Sequence, residues 1–469
     1  MTTSDRRRRP STARQGYAFY IAFVASLGGF LFGYDLVIIS GAQIFLRAQF
    51  SLTPQQFGFA TSSAILGCIA GPGFGAWLCD RIGRKFTLIA AAVLFALSAV
   101  GTALAASIVI FNVFRIIGGV GVGLASLASP MYIAEIAPAR NRGRLGLMYQ
   151  LAITVGAVAA TVVSYYLAKY AAPTVGWRWM FASVIVPVAV FSVLLIRVPD
   201  SPRWLAGKQR FGDALYVLTQ IAGEDDARRE LTEIRATMHT EAGSLRDLLQ
   251  PGMRAAIFTG IILAVLNNWT GWTGISFYLP TLFQRAGFSS ASDAIAQNIL
   301  VMGGNVFLTL LSIWLVDRVG RRPLWILCSA AMCLFLIVAG VIFQVNATGS
   351  LVVLMIVLCA APHAIGLGPL PWLMMSEIYP TRIRAKAVSL STTFLWVAAF
   401  TGTYALPLLQ AASERILHTV AGVFWLYAVV CLFSFGWGLK YLPETNGRSL
   451  ENIADSWKSA TSKETRFVR

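Results

Sequence analysis

Charged residues are scarce in this chain of 469 residues. Asp, Glu, Lys and Arg together make up 13% of the sequence, roughly half the share that is usual in a soluble protein. Hydrophobic residues make up 57%, and the mean hydropathy is +0.67. This composition excludes an ordinary soluble protein and indicates a membrane protein. Apolar runs close to the roughly 20 residues needed to cross a bilayer recur twelve times, at 17–40, 55–78, 87–107, 109–134, 145–170, 178–197, 254–283, 294–316, 323–344, 350–376, 387–410 and 419–441.

The chain also has few of the residues that build metal centres and catalytic sites. It has three histidines, and its six cysteines lie in or beside the apolar runs without the spacing of a disulfide framework or a zinc site. A membrane enzyme would need a nucleophile, a base or metal ligands in proximity. We therefore predict a protein that is not an enzyme and has no metal and no cofactor. His363, in a predicted span, is interpreted as a cavity or packing residue.

Acidic residues are fewer than basic ones, 21 against 38, which gives a net charge of +17. The basic residues concentrate in the N-terminal tail, in alternate connections between apolar runs and in the C-terminal tail. By the positive-inside rule, this pattern places both termini in the cytoplasm. Because topology accounts for the charge, the sequence gives no reason to predict nucleic-acid binding.

Three motifs each occur twice, in the same order in both halves of the chain. "DRIGRK" at Asp80 returns as "DRVGRR" at Asp317, "EIAPARNRG" at Glu135 as "EIYPTRIRA" at Glu377, and "VPDSPRWL" as "LPETNGRSL". The offsets are nearly constant, which indicates an internal duplication. We predict an all-α membrane protein of twelve transmembrane helices in two pseudo-symmetric halves. Its parts are a basic cytoplasmic tail (1–16), a six-helix domain (17–198), a cytoplasmic linker of short amphipathic helices (199–253), a second six-helix domain (254–441) and a cytoplasmic C-terminal tail (442–469).

The duplicated motifs place charges on short turns at one end of the bundle, where glycines permit a tight bend. Opposite charges on neighbouring helix ends can pair and clamp that end shut, so we predict a cytoplasmic gate. For one copy alone, topology would be the simpler explanation; the duplicated, ordered set favours the gate. Its predicted members are Asp80, Arg84, Glu135, Arg142, Asp200, Arg203, Asp317, Arg321, Glu377, Arg384 and Glu444.

These motifs, together with "GYD" at Gly33, "RIIGGVGVG" at Arg115 and "GLGPLPWLMMSEIYPTRIRAKA" at Gly366, resemble the sugar porter family of the major facilitator superfamily. The resemblance runs from about Gly33 to Leu450. It implies a twelve-helix transporter that moves a sugar or polyol by alternating access, with substrate binding near the midplane between the halves.

Asp35 lies well within the first apolar run. A carboxylate there costs roughly 2.5 to 3.5 kcal/mol on insertion scales, so it should face a wet cavity or a charged partner. The resemblance implies that Arg115 is that partner, because proton-coupled members place an Arg near this Asp. We therefore predict proton symport with Asp35 as the proton carrier and Arg115 as the residue that tunes it. A fixed structural pair between two helices is the alternative.

Substrate-binding positions follow from the resemblance and from the chemistry of sugars, which need neutral amides, hydroxyls and aromatic faces. Gln150, Asn305, Trp372 and Trp396 keep the residue types of the family. Pro369 and Pro371, which precede Trp372, are expected to break the tenth helix. The seventh run departs from it, because "NNWTGWT" places Asn267, Asn268 and Thr273 where longer Gln side chains and an Asn are usual, and the eleventh run has Leu395 and Ala399 at positions that are often polar. The shorter side chains leave the identity of the substrate open.

The predicted function is proton-coupled symport of a monosaccharide or polyol across the cell membrane, by a protein that acts as a monomer in the lipid bilayer. Three alternatives remain open: a sugar facilitator without proton coupling, a symporter of another small organic solute, and a transporter-like nutrient sensor.

Overall fold

The computed structural model describes residues 12–137, 142–238, 250, 253–379 and 383–446. The regular elements of these residues are helices. In chain order they are α1 (Thr12–Phe50), α2 (Pro54–Cys68), α3 (Ala76–Ile82), α4 (Arg84–Ala103), α5 (Ile108–Ile136), α6 (Arg142–Tyr170), α7 (Pro173–Ala182), α8 (Ile185–Ile196), α9 (Pro202–Gly207), α10 (Phe211–Ala222), α11 (Glu224–Met238), α12 (Met253–Trp269), α13 (Trp272–Phe277), α14 (Leu279–Arg285), α15 (Ala291–Val319), α16 (Arg321–Gln344), α17 (Ser350–Pro362), α18 (Pro369–Glu377), α19 (Arg384–Leu417) and α20 (Ala421–Tyr441).

Twelve stretches of the described residues are long and apolar enough to cross a membrane, which confirms the twelve predicted spans. Spans 1 to 6 are α1, α2–α3, α4, α5, α6 and α7–α8; spans 7 to 12 are α12–α13, α15, α16, α17–α18, α19 and α20. The first is longer than predicted and continues to Phe50; within this extension Gln43 is 1% exposed and faces the bundle. We call the end of the bundle that carries α9 to α11 the linker end, and the opposite one the far end.

Two spans contain an interruption that the sequence did not predict correctly. Span 10 was expected to break at Pro369 and Pro371, but the irregular turn is a π-helical segment at His363–Leu367, and Pro369 begins α18. A proline is tolerated in the first turn of a helix because its missing N–H has no partner there in any case. Span 2 has a similar π-helical segment at Gly71–Gly75. Such segments often occur at functional sites.

Small residues let the spans cross closely. A Cβ at Gly33 in span 1 would collide with the carbonyl of Ile153 in span 5, and a Cβ at Gly156 would collide with the carbonyl of Phe30. The glycine-rich "GGVGVG" stretch serves the same purpose, since a Cβ at Gly119 would meet the backbone of span 2. In a bilayer, where lipid is as apolar as the side chains, such close packing supplies much of the attraction between helices.

Spans 1, 2 and 5 provide most of the contact between the first six spans and the last six. Span 1 packs against α13 and α14, span 2 against span 11, and span 5 against span 8. At the linker end, α9, α10 and α11 pack against one another, and α10 turns a buried apolar face toward them. The contact between the two sets of spans is therefore formed by spans 1, 2 and 5 on one side and spans 7, 8 and 11 on the other.

Candidate functional site

Arg84, the first residue of α4, is the centre of an ionic cluster at the linker end. Its Nη2 donates to Glu135 Oε1 at 2.8 Å, and its Nη1 lies 3.7 Å from an oxygen of Asp80. The carboxylate of Asp200 accepts from the backbone N–H of Arg84 and of Ser201, at 3.0 and 2.8 Å. Burial raises the pKa of the Asp200 carboxyl, and these N–H groups oppose the shift.

Arg321, the first residue of α16, repeats this arrangement in the last six spans. Its Nη2 donates to Glu377 Oε1 at 3.1 Å, and its Nη1 lies 3.2 Å from Asp317. Glu444 accepts from the backbone N–H of Arg321 at 3.1 Å, as Asp200 does from that of Arg84. The amide oxygen of Asn446 accepts a further bond from Arg321 Nη1 at 3.0 Å. The two copies of the motif therefore form equivalent clusters.

Gly83 and Gly320 make the turns that bring these charges together. Their φ angles are 94° and 93° with ψ of 167° and 161°, a region that only glycine adopts readily. A Cβ at Gly83 would also meet the carboxylate of Asp200. Glycine at this position is thus required both by the backbone and by the space that the acid occupies.

Two other predicted gate residues take no part in the ion pairs of Arg84 and Arg321, which join Asp80, Glu135, Asp317 and Glu377. Arg203 is exposed on α9. Arg384 begins α19 and donates from Nε to the carbonyl of Tyr379 at 3.1 Å. Arg142 begins α6, but its side chain lies outside the described part of the structure. The ion pairs of Arg84 and Arg321 each join helices within one set of six spans.

Asp35 and Arg115 form a buried ion pair between spans 1 and 4. Arg115 Nη1 donates to Asp35 Oδ2 at 3.0 Å, and Nη2 donates to the backbone carbonyl of Asp35 at 3.0 Å. The two side chains are 1% and 0% exposed. The guanidinium carbon lies 5.3 Å from the ring centroid of Phe181, and Arg115 Nε has no partner among the described residues. The pairing expected from the resemblance is therefore present.

Asn267 and Asn268 lie at the end of α12 and use their side-chain N–H groups on backbone carbonyls. Asn267 Nδ2 donates to the carbonyls of Leu367 and Gly368 in span 10, at 2.8 and 3.0 Å. Asn268 Nδ2 donates to the carbonyl of Leu395 in span 11 at 3.1 Å. Both amides thus hold span 7 against its neighbours, a role that sequence reasoning did not foresee.

The other predicted substrate residues retain polar groups or surface that could meet a ligand. Asn305 Oδ1 and Trp396 Nε1 are buried and have no hydrogen-bond partner among the described residues. The Trp396 ring lies 5.8 Å from that of Phe32 in span 1, so it faces the opposite set of spans. Trp372 is 39% exposed, Gln150 is exposed and Thr273 is partly buried.

His363 is a polar residue of this region that sequence reasoning set aside. It is the first residue of the π-helical segment in span 10, and its Nδ1 is buried without a partner among the described residues. Its ring centroid lies 6.4 Å from that of Trp272. The sequence offered one signal, a histidine within an apolar run shortly before Pro369, but only the folded chain shows an unpaired nitrogen.

Two neutral hydrogen bonds join the sets of spans toward the far end. Gln43 Nε2 of span 1 donates to the carbonyl of Phe277 at 3.0 Å, and Asn298 Nδ2 of span 8 donates to Ser40 Oγ at 3.2 Å. The amide oxygens of Gln43 and Asn298 are buried without a partner in the described ranges. The far end is therefore in direct contact across the two sets of spans.

Comparison with known proteins agrees with this arrangement. Residues 21–457 match the family described as "Sugar (and other) transporter". The arabinose-proton symporter of Bacillus subtilis is 36% identical over 94% of this chain and 95% of its own length, and the D-xylose-proton symporter of Escherichia coli is 35% identical over 95% and 97%. The chain belongs to this sugar transporter family. The predicted resemblance is confirmed, and family membership also agrees with the prediction that the protein is not an enzyme.

Solved structures confirm the fold as that of the major facilitator superfamily. The structure titled as the inward open conformation of the xylose transporter XylE from E. coli has a TM-score of 0.83 at 32% identity and covers 94% of this chain and all of that one. The structure titled as the proton:xylose symporter XylE bound to 6-bromo-6-deoxy-D-glucose has a TM-score of 0.77 at 34% identity and covers 94% and 99%. The transporter described here is thus more similar in shape to the first.

Proposed function

We propose that this family member is a symporter that couples the movement of one monosaccharide to the movement of protons. The observation that carries the proposal is the fully buried pair of Asp35 and Arg115. Ionisable residues inside a membrane are costly and mark ion pathways or proton relays. Relatives of similar length carry the names of arabinose-, xylose- and galactose-proton symporters, which supports both the proton and the sugar.

Asp35 is the proton carrier in this proposal. Protonation of Asp35 removes the charge that Arg115 Nη1 contacts, while the bond from Nη2 to the backbone carbonyl can persist. Because the two residues lie on spans 1 and 4, loss of the ion pair loosens span 1, which also contacts the last six spans. Proton binding is thereby linked to the contact between the two sets of spans.

The substrate binds between the two sets of spans. Asn305 and Trp396 offer unpaired polar atoms, and Gln150 and Trp372 offer exposed surface. A sugar needs such neutral groups for its hydroxyls and an aromatic face for its C–H surface. Span 7 contributes three further residues to the site. The amides of Asn267 and Asn268 position the span, and Thr273 is partly buried at the start of α13.

The two ionic clusters act as the gate at the linker end, which we assign to the cytoplasm together with both termini. In the conformation described here, each cluster stays within its own set of spans and the far end is bonded across. The greater similarity to the structure titled inward open supports a conformation that opens toward the linker end. The protein works as a monomer in the plasma membrane, with the proton as coupling ion and no cofactor.

Uptake into proteoliposomes tests the proposal. The purified full-length chain is assayed with D-xylose, L-arabinose, D-galactose, a polyol and an organic acid, with and without a proton gradient directed inward. Accumulation of a sugar that depends on the gradient is expected. Equilibration without accumulation would identify a facilitator, preference for the acid would identify a different solute, and binding without transport would identify a sensor; each of these contradicts the proposal.

A further inference from the structure

The side-chain donors of Asn267 and Asn268 are already in use. Their Nδ2 atoms bond backbone carbonyls of spans 10 and 11. A backbone carbonyl released by a sugar would be left unpaired inside the bundle, at a cost of about 1 to 3 kcal/mol. These two amides therefore do not readily donate to a ligand, and another residue has to supply hydrogen bonds at this level of the bundle.

His363 lies beside the two hydrogen bonds that Asn267 donates to the carbonyls of Leu367 and Gly368. A Cβ placed on Gly368 would be 3.1 Å from His363 Nε2, so the imidazole lies directly against that glycine, whose carbonyl accepts from Asn267. The residue is only partly buried, which leaves one part of the ring open. The imidazole is therefore located next to the amide position at which the resemblance implies a contact with sugar.

The ring of His363 is held in position, but its Nδ1 atom makes no hydrogen bond within the described residues. Trp272 from the start of α13 packs near it, with 6.4 Å between ring centroids, and Gly368 N–H bonds the carbonyl of His363 at 2.8 Å to fix the π-helical turn. Nδ1 is buried without a partner in the described part of the chain. Leaving such an atom unpaired costs about 1 to 3 kcal/mol, and a ligand hydroxyl that pairs with it would remove that cost.

We propose that His363 hydrogen-bonds one hydroxyl of the transported sugar and so determines which sugar is preferred. A neutral imidazole accepts at one nitrogen and donates from the other, which matches a hydroxyl group. Trp272 keeps the ring in the orientation that permits this bond. The inference rests on the proposed sugar transport and adds the residue that recognises one hydroxyl of the sugar.

The test compares His363→Phe, which keeps an aromatic ring without polar atoms, with His363→Gln, which keeps a donor and an acceptor. His418→Asn is the matched control, because His418 is an exposed histidine at the end of α19 with a positive φ that Asn tolerates. Exchange of sugar across proteoliposomes without a gradient gives KM and Vmax for D-xylose, L-arabinose, D-galactose and the monodeoxy analogues of each.

His363→Phe should raise KM for the preferred sugar about fivefold, the size of one neutral hydrogen bond, while Vmax and thermal unfolding stay near those of the wild type. KM for one monodeoxy analogue should not change, because that analogue lacks the hydroxyl in question. His363→Gln should recover much of the difference, and His418→Asn should behave as the wild type. Should His363→Phe fail to fold, His363→Ala gives the same comparison.

Equal changes in KM for the parent sugar and all analogues, no change at all, or no recovery by His363→Gln would each overturn the inference while leaving sugar transport intact. Failure of the wild-type protein to exchange any of the three sugars would instead overturn the proposed function.

Discussion

Replacing Asp35 by Asn tests the coupling mechanism most directly. The change removes the charged acceptor of Arg115 Nη1 but leaves the backbone carbonyl that Nη2 contacts and the ring of Phe181. Breaking a buried ion pair from one side costs about 3 to 5 kcal/mol, because the remaining charge is buried without its partner. The two contacts that remain place the expected loss of unfolding free energy at the lower end of that range, about 3 kcal/mol.

The free energy of the proton gradient sets the accumulation of sugar that the transport assay should measure. One pH unit is worth about 1.36 kcal/mol per proton, so symport of one proton with one sugar gives about tenfold accumulation in proteoliposomes whose lumen is one pH unit more alkaline. Asp35→Asn should reduce this ratio to one, because no proton can bind at residue 35. Exchange of labelled for unlabelled sugar without a gradient should continue, since it needs no net movement of protons.

Two control variants separate coupling from folding. The double variant Asp35→Asn with Arg115→Gln removes both charges, so its unfolding free energy should return to within about 1 kcal/mol of the wild type, yet it should not accumulate sugar. Asp293→Asn neutralises an exposed aspartate at the start of α15 and should keep the accumulation of the wild type. Undiminished accumulation by Asp35→Asn would refute the assignment of Asp35 as proton carrier.

Three further predictions concern the cluster around Arg84. Gly83→Ala should lower the unfolding free energy by about 2 kcal/mol, because the φ angle of Gly83 is 94°. Gly436→Ala is the control and should not lower it, because a Cβ at Gly436 meets no other atom. Thermal unfolding in detergent measures both variants, and equal effects would contradict the argument. Glu135→Gln removes the closest carboxylate of the cluster at 2.8 Å and should cost about 1.5 to 3 kcal/mol in the same assay; an unchanged stability would show that the pair is not needed. Burial raises the pKa of the Asp200 carboxyl above 3.8, so ionisation of Asp200 disfavours the folded state. The contribution of Asp200 to the unfolding free energy is therefore greatest below pH 3.8 and declines as the pH rises through the shifted pKa. Asp200→Asn should remove that decline, and a variant with the wild-type pH profile would contradict it.

The sequence was sufficient to predict the number and order of the spans. In a bilayer every backbone N–H and C=O must be satisfied within the span, so each apolar run of sufficient length has to be a helix. The duplicated motifs around Asp80 and Asp317 also predicted that opposite charges would pair at neighbouring helix ends, as Arg84 and Arg321 do. In "DRxGR" the Asp lies near the end of one helix and the second Arg begins the next, so the turn at the glycine brings the two side chains together.

Interruptions within the spans could not be predicted in the same way. The π-helical segment at His363 is contacted by Asn267, which reaches from span 7 to bond the carbonyls of Leu367 and Gly368. The first of these bonds joins residues 100 positions apart. A local pattern of prolines indicated a break in span 10, but the irregular turn lies before Pro369, where span 7 makes this tertiary contact.

The candidate site illustrates the same limit at the level of single atoms. Residue type identified Asn267 and Asn268 as candidate substrate-binding residues, which stays a prediction, but not the carbonyls that their side chains contact. Whether an amide is free to bind a ligand depends on which carbonyl it already contacts, and the sequence does not contain that information. The unpaired Nδ1 of His363 became visible only when those contacts were known.

The distribution of charge explains how such a molecule can change conformation. In this conformation the ion pairs of Arg84, Arg115 and Arg321 each join helices of one set of six spans, so none of them holds the far end closed. The contacts of Gln43 and Asn298 across the far end are neutral hydrogen bonds, worth about 0.5 to 1.5 kcal/mol each. About 5.5 kcal/mol of differential binding reverses a two-state preference from roughly 1:99 to 99:1. A sugar and a proton that together favour the opposite conformation by that amount are therefore sufficient to open the far end.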